Sequence, residues 1–238
     1  MENIKGRLDD IKDRVARAAQ RSGRSPEDIT IVAVSKLREP EEIEEAIAAG
    51  ISDFGENKVQ ELELKYDKVI SPLRWHLIGH LQRNKVKYII DKVALIHSLD
   101  SLRLAKEIDK RAEQAGVVAE VLVQVNAAGE ESKFGVSSED AAPLIDKVLA
   151  GCSNVRIRGL MQIAPYSEEP EDVRPYFKEL KQLYDELSRI SHPNLSFDYL
   201  SMGMSGDFEL AIEEGANMVR IGSAIFGDRD YSKRMGGL

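Results

Sequence analysis

The 238-residue sequence has one cysteine, Cys152, so no internal disulfide can form. A reducing, cytoplasmic setting is the expectation. Long apolar runs are missing as well. The most apolar stretch, residues 117–125, is short and carries Glu120 and Gln124. A membrane-spanning helix needs ~20 apolar residues. The N-terminal stretch MENIKGRLDDIKDRV is charged and lacks the apolar centre of a signal peptide. Positive charge is in deficit, with 33 Lys and Arg against 41 Asp and Glu, a net charge of −8. That argues against a nucleic-acid or anionic-membrane partner, since phosphate affinity needs clustered cations. Neither GxGxxG nor GxxxxGK[ST] occurs, so NAD and ATP have little support. The four histidines, at 76, 80, 97 and 192, lack metal-ligand spacing, and no zinc site is expected. His76 reads as a core or rim histidine inside a strand, and Cys152 as inert.

What is present is enough apolar residue, 42%, for a packed core. Ile4, Leu8, Ile11, Val15 and Ala18 recur every three or four residues, the period of a helix with one buried face. Residues 29–34, Ile-Thr-Ile-Val-Ala-Val, are too short for a helix and read as a strand buried on both faces. From there the chain alternates. Strands are expected at 51–54, 75–78, 94–97, 118–125, 155–161, 197–200 and 218–221. Helices are expected at 41–49, 57–66, 83–90, 102–114, 139–149, 173–190 and 207–214, with a short one at 223–226. Gly50, Gly116, Gly151 and Gly215 stand between a helix and the next strand, where a left-handed cap belongs. Eight strands with helices between them favour a single (β/α)8 TIM barrel over residues 1–238, with an extra N-terminal helix. An open or nine-stranded sheet is the alternative.

In such barrels chemistry gathers at the C-terminal ends of the strands. Strand one ends in Ser35-Lys36, which points an amine at the barrel mouth. Partial desolvation there makes a neutral amine available for Schiff-base chemistry. A lysine reaching out of the first loop is the plainer reading of position alone. Strand seven ends in Ser201-Met202-Gly203-Met204-Ser205-Gly206, and strand eight in Arg220-Ile221-Gly222-Ser223. Small residues free backbone N–H groups to converge on an anion, and these are the two loops where barrels of this class bind phosphate. Gly55-Glu56-Asn57 and 79–85 add polar groups to the mouth. Met161, at the end of strand six, could wall a planar ligand, although a core methionine is the commoner role.

An amine on strand one, a phosphate cup at strands seven and eight and an arginine on strand eight suit pyridoxal 5'-phosphate. The motifs VAVSK at 32–36, FGEN at 54–57, WHLIGHLQRNK at 75–85, SKFG at 132–135, GLM at 159–161, LSMGMS at 200–205 and VRIGSAIFG at 219–227 stand in this order. They resemble the YggS/PROSC-like pyridoxal phosphate homeostasis proteins, whose fold is like the N-terminal domain of alanine racemase. The resemblance implies that Lys36 is the Schiff-base lysine and that Asn57 lies beside the cofactor ring. It implies that Ser201, Gly222 and Ser223 bind phosphate and that Arg220 faces the pyridine nitrogen. Met161, Met202 and Gly203 are expected in the same cofactor-binding set. Leu77, where the family often has an aromatic residue, and His80, at a variable position, are small departures.

The expected role is a carrier in cofactor homeostasis, without strong turnover, that passes pyridoxal phosphate to apo-enzymes and works as a monomer. A pyridoxal-phosphate-dependent amino-acid racemase is the rival. It needs acid–base groups on both faces of the substrate, and the family comparison implies that a separate β-domain supplies the second. About a dozen residues follow the last expected element, too few for that domain. One of the seven tyrosines could still serve. An aldolase acting on phosphorylated sugars would explain Lys36 and the cup but not Arg220.

Overall fold

A computed structural model describes residues 3–130 and 133–227. Ser132, in the motif at 132–135, and Tyr231, one of the seven tyrosines, lie outside the described residues.

Eight parallel strands close into a barrel in sequence order: β1 (Thr30–Val34), β2 (Asp53–Glu56), β3 (Arg74–Leu77), β4 (Leu95–Leu99), β5 (Ala119–Gln124), β6 (Val155–Met161), β7 (Leu195–Ser201) and β8 (Met218–Ile221). Closure is made by β1 against β8, with Thr30 opposite Met218 and Val32 opposite Arg220. The helices are α1 (Ile4–Arg21), α2 (Pro40–Ala48), α3 (Val59–Tyr66), α4 (Leu102–Ala115), α5 (Ser138–Gly151), α6 (Arg174–Leu187), α7 (Phe208–Glu213) and α8 (Ser223–Phe226). None of the described helices is long and apolar enough to cross a membrane.

The extra helix α1 is capped by Asn3, whose side chain accepts the Gly6 N–H at 2.8 Å. It buries Ile4, Leu8, Ile11, Val15, Ala18 and Ala19 and packs on α2, α7 and α8. Arg14 adds a two-pronged bond to Glu209 on α7, at 3.0 and 2.8 Å. The α1 helix thus joins the outer ring beside the last two helices rather than standing apart.

Two apolar regions follow from the period of two along each strand. Outward residues such as Ala33, Phe54, Val121, Val219 and Ile221 join the helices in the large core. Inside the barrel, Val32, Leu95, Leu122, Met161 and Met218 form a separate cluster. The same interior also buries Asp53, His76, His97, Ser201 and Arg220. A barrel of this class ordinarily fills its interior with branched apolar side chains.

Three expectations need correcting. The helix expected at 83–90 is a 3-10 segment, Arg83–Tyr88. Val86 and Ile89 are fully buried three residues apart, a spacing that three residues per turn keeps on one face. Gly50, Gly116 and Gly215 have positive φ, but Gly151 does not, because α5 runs through it. The second strand begins and ends two residues later than expected, at Asp53–Glu56. A buried Glu56 is not foreseeable from patterning, and it is possible because Lys65 reaches it at 2.7 Å.

Candidate functional site

A cavity of about 450 Å³ opens at the C-terminal ends of the strands. Lys36 lines it from the end of β1. The chain leaves β1 in a turn closed by the Arg38 N–H donating to the Ser35 carbonyl at 3.0 Å. Leu37, the third residue of that turn, has a φ of +62° and alone among the described non-glycine residues is left-handed. Such a conformation costs about 1–2 kcal/mol, and the surroundings hold it. The Leu37 N–H donates to Glu61 at 2.9 Å. The Ser35 hydroxyl donates to Glu56 at 2.8 Å, and the Lys65 ammonium donates to both Glu56 and the Ser35 carbonyl at 2.7 Å. The strand end carrying Lys36 is therefore tied to a buried ion pair behind it. Burial pushes the Glu56 carboxyl up, against the pull of Lys65.

Asn57 follows β2 and lines the same cavity. Its backbone lies so close to β3's end that a Cβ on Gly79 would fall 2.2 Å from the Asn57 carbonyl oxygen. Only glycine permits that approach. On the opposite side, Ser205 in the loop after β7 meets β8, its hydroxyl accepting the Gly222 N–H at 3.2 Å. Gly203 takes a φ of +90°, and a Cβ there would lie 2.6 Å from that of Ala211 on α7. The Met204 N–H is held by Asp207 at 2.5 Å, and burial pushes the Asp207 carboxyl up. Two loops rich in serine and glycine thus converge where β7 and β8 end.

Arg220 enters the cavity from below. Its side chain donates to Ser201 Oγ at 2.6 Å and to the Gln162 carbonyl at 2.7 Å. Burial lowers its pKa to about 10, with Asp207 pulling the other way, so it stays a cation at neutral pH. Behind Ser201 a line of polar contacts continues. His97 Nδ1 lies 3.1 Å from Ser201 Oγ, His97 Nε2 lies 2.9 Å from His76 Nδ1, and His76 Nε2 lies 2.9 Å from Asp53 Oδ1. Burial keeps both imidazoles neutral, holding His97 well below the usual histidine range and His76 lower despite Asp53. Burial also works against the charged form of Asp53, but hydrogen bonds from His76 and Ser52, and the Arg74 charge, leave its carboxyl lowered.

Of the residues expected from sequence, Lys36, Asn57, Arg220, Gly222 and Ser223 line the cavity together. Ser201, Met202, Gly203 and Met161 do not. Ser201 is fully buried and its hydroxyl is engaged by Arg220 and His97, which corrects its expected place on phosphate. Ser205, four residues on, occupies the rim instead. Met161 belongs to the barrel's interior apolar cluster, and Met202 to the outer core. Gly203 supports the loop through its backbone, accepting the Arg220 N–H at 3.0 Å. Sequence reasoning missed Gln124, Asn126, Lys133, Phe134 and Ile163, which line the cavity from the ends of β5 and β6. The end of β5 carries Gln124 and Asn126 two residues apart, a signal that the strand-end rule could have used. Lys133 and Phe134 lie in the SKFG motif, which by itself assigns them no role; Phe134 stacks on His80 with ring centroids 3.7 Å apart, a contact between distant loops. Among the described residues no cluster could hold a metal ion.

Known proteins match this arrangement. The family described as the alanine racemase N-terminal domain matches residues 7–230. A pyridoxal phosphate homeostasis protein of Aquifex aeolicus is 49% identical over 226 residues, covering 94% of this chain and 98% of that protein. The solved structure of PipY from Synechococcus elongatus PCC7942, with pyridoxal phosphate bound, is 34% identical. It aligns with a TM-score of 0.78 over 90% of this chain and all of PipY. An alanine racemase of Clostridium difficile 630 shares the fold at a TM-score of 0.71, at 16% identity, and this chain covers 56% of it. With a family match across nearly its whole length and relatives this similar, the chain belongs to the pyridoxal phosphate homeostasis proteins, built on the alanine racemase N-terminal barrel.

Proposed function

We propose that this chain binds pyridoxal 5'-phosphate in the mouth cavity, holds it through Lys36 and hands it on, without turning over a substrate of its own. The observation that carries this is one cavity lined by the Lys36 amine, two serine- and glycine-rich loops and a buried guanidinium, with a second amine, Lys133, already bonded to Glu130 and the Ala164 carbonyl. These groups fit the cofactor's three handles, an aldehyde, a phosphate and a pyridine nitrogen. Lys36 suits the aldehyde. Ser205, Gly222 and Ser223 suit the phosphate. Arg220 has neutral oxygens, Ser201 Oγ and the Gln162 carbonyl, as partners below and faces the cavity above. Ile78, Phe134 and Ile163 offer apolar walls for a planar ring, with Asn57 beside it. When bound, the cofactor supplies an electrophilic carbon and an electron-withdrawing ring.

Arg220 supports the carrier reading. A guanidinium donates hydrogen bonds and accepts none, so it favours an unprotonated ring nitrogen opposite it. An unprotonated ring is a weak electron sink, which discourages carbanion chemistry. A racemase also needs a second acid–base group across the ring from Lys36. Among the described residues lining the cavity there is no tyrosine, and the other titratable side chains there besides Lys36 and Arg220 are engaged, His80 stacked on Phe134 and Lys133 bonded to Glu130 and the Ala164 carbonyl. An aldolase would use Lys36 and the cup but has no need of Arg220.

The proposed carrier works as a monomer, since Lys36, Ser205, Gly222, Ser223 and Arg220 already meet at one cavity without a second copy. The exposed apolar side chains Phe134, Ile163 and Met204 at the rim support a protein, such as an apo-enzyme, as recipient. The single buried Cys152, its thiol pushed up by burial, suits work in the cytoplasm. The test is an absorbance spectrum of loaded protein before and after borohydride, with mass spectrometry of the trapped lysine. It is joined to assays of L-alanine racemisation and of cofactor delivery to an apo-enzyme. Trapping at Lys36, delivery and no racemisation are expected. Turnover of ~1 s⁻¹ or more, in the ordinary enzyme range, would favour the racemase.

A further inference from the structure

Asp53, His76, His97 and Ser201 fill the barrel interior with a continuous line of hydrogen bonds that no step of cofactor binding uses. Asp53 begins β2 at the end of the barrel away from the cavity, and Arg220 ends the line at the cavity. Each neutral imidazole has one donor and one acceptor nitrogen, so the line can run in two directions.

The two directions are not equivalent. Arg220 can only donate, so Ser201 Oγ accepts from it at 2.6 Å. If His97 Nδ1 also donated to Ser201, His76 would have to donate from Nδ1 to His97. His76 Nε2 would then turn a lone pair to the Asp53 carboxylate at 2.9 Å, and the Ser201 proton would lose His97 as its acceptor. In the opposite direction every contact is a donor meeting an acceptor. Ser201 donates to His97 Nδ1, His97 Nε2 donates to His76 Nδ1, and His76 Nε2 donates to Asp53 Oδ1. Successive bonds in a low-dielectric interior polarise one another.

We propose that Asp53, His76, His97 and Ser201 are positioning residues that form a one-way hydrogen-bond chain through the barrel and aim the Arg220 guanidinium at the cavity. The chain fixes which lone pair Ser201 presents, and so where the guanidinium edge points. Its effect on a bound ring rests on the cofactor reading above. The direction of the chain does not.

The test is ¹⁵N NMR of histidine-labelled full-length protein without cofactor. In the wild type both His76 and His97 are expected as single neutral tautomers protonated on Nε2. Asp53→Asn should keep both, because Arg74 Nε, 3.5 Å from Oδ1, favours the amide oxygen facing His76, and the Ser52 hydroxyl, which donates to Oδ2 in the wild type, can rotate to accept from the amide N–H. Asp53→Leu removes the acceptor and should abolish the single tautomer at His97 as well as at His76, although residues 53 and 97 are linked by hydrogen bonds only through His76. An Nδ1-protonated ring in the wild type, or a changed tautomer in Asp53→Asn, overturns the proposal even if the leucine variant fails to fold. An unaltered His97 in folded Asp53→Leu overturns it too. In loaded protein, the ring-nitrogen ¹⁵N shift of bound pyridoxal phosphate should move in Asp53→Leu and stay in place in Asp53→Asn. An unmoved shift overturns the link to the ring. Wild-type protein that takes up no pyridoxal phosphate overturns the cofactor reading alone, since the tautomers are read without it.

Discussion

Lys36 and Arg220 reach the same cavity from strands that touch, yet they are held in different ways. Lys36 stands half-buried on a turn just past β1, beside a left-handed Leu37. Arg220 lies within β8, buried, with its backbone in register with Val32 and its side chain bonded on two sides. The amine proposed to hold the cofactor thus sits on a turn that a buried ion pair braces from behind, and the cation proposed to face its ring sits within a paired strand. Electrostatic tuning needs a charge whose position does not change.

The contrast can be broken most directly at Lys36. Lys36→Ala should remove all borohydride-trapped cofactor from the protein, read by intact mass. Cofactor trapped on another lysine in the wild type would end the assignment. Gly222→Val comes next. Its added side chain begins 3.3 Å from Val34 Cβ and enters the cup, so cofactor retention should fall by roughly 100-fold, about 2.7 kcal/mol, in a dialysis or fluorescence titration. Unchanged retention would move the phosphate elsewhere.

Ser201→Ala sharpens the Arg220 side. It leaves a buried guanidinium and a buried imidazole each short of a partner, a loss of about 1–3 kcal/mol in stability by urea denaturation. A loss in cofactor affinity with no loss in stability would put Ser201 back on the phosphate.

A smaller effect is expected with pH. The folded state lowers the pKa of His76 and His97, so below the unfolded value of about 6.5 the unfolded chain binds more protons. Stability is therefore full above that value and falls as pH drops below it. Urea midpoints between pH 7.5 and 5.5 read this, and a flat profile would mean that the pair is not held neutral. The smallest effect is at Leu37→Gly. Relief of the left-handed leucine, about 1 kcal/mol, should offset lost packing and leave stability within about 0.5 kcal/mol of wild type.

Much of the barrel was legible in the sequence, because apolar spacing reports burial directly. The runs at 155–161 and 218–221 are strands with the bounds that patterning suggests. The 3-10 segment was not legible, since a spacing of three apolar positions fits both helix types until packing chooses. At the site, Lys36, Asn57, Arg220, Gly222 and Ser223 followed from strand ends and motif order. Ser201 is not legible from its neighbours along the chain. A serine beside glycines reads as an anion ligand, but alternation along β7 turns it inward, where Arg220 and His97 claim it.

By itself the sequence determined which strands exist, that they alternate with helices, and which chemical groups arrive at the strand ends. Those are consequences of local period and of residues close along the chain. Tertiary structure alone decided that His76, His97, Ser201 and Asp53, from β3, β4, β7 and β2, share one buried line ending on Arg220. It also decided that Phe134 stacks on His80 at the rim. The reason is geometric. Such contacts depend on which side chains point inward at the same height of a closed barrel, and shear and register set that height. No single stretch of sequence carries either quantity.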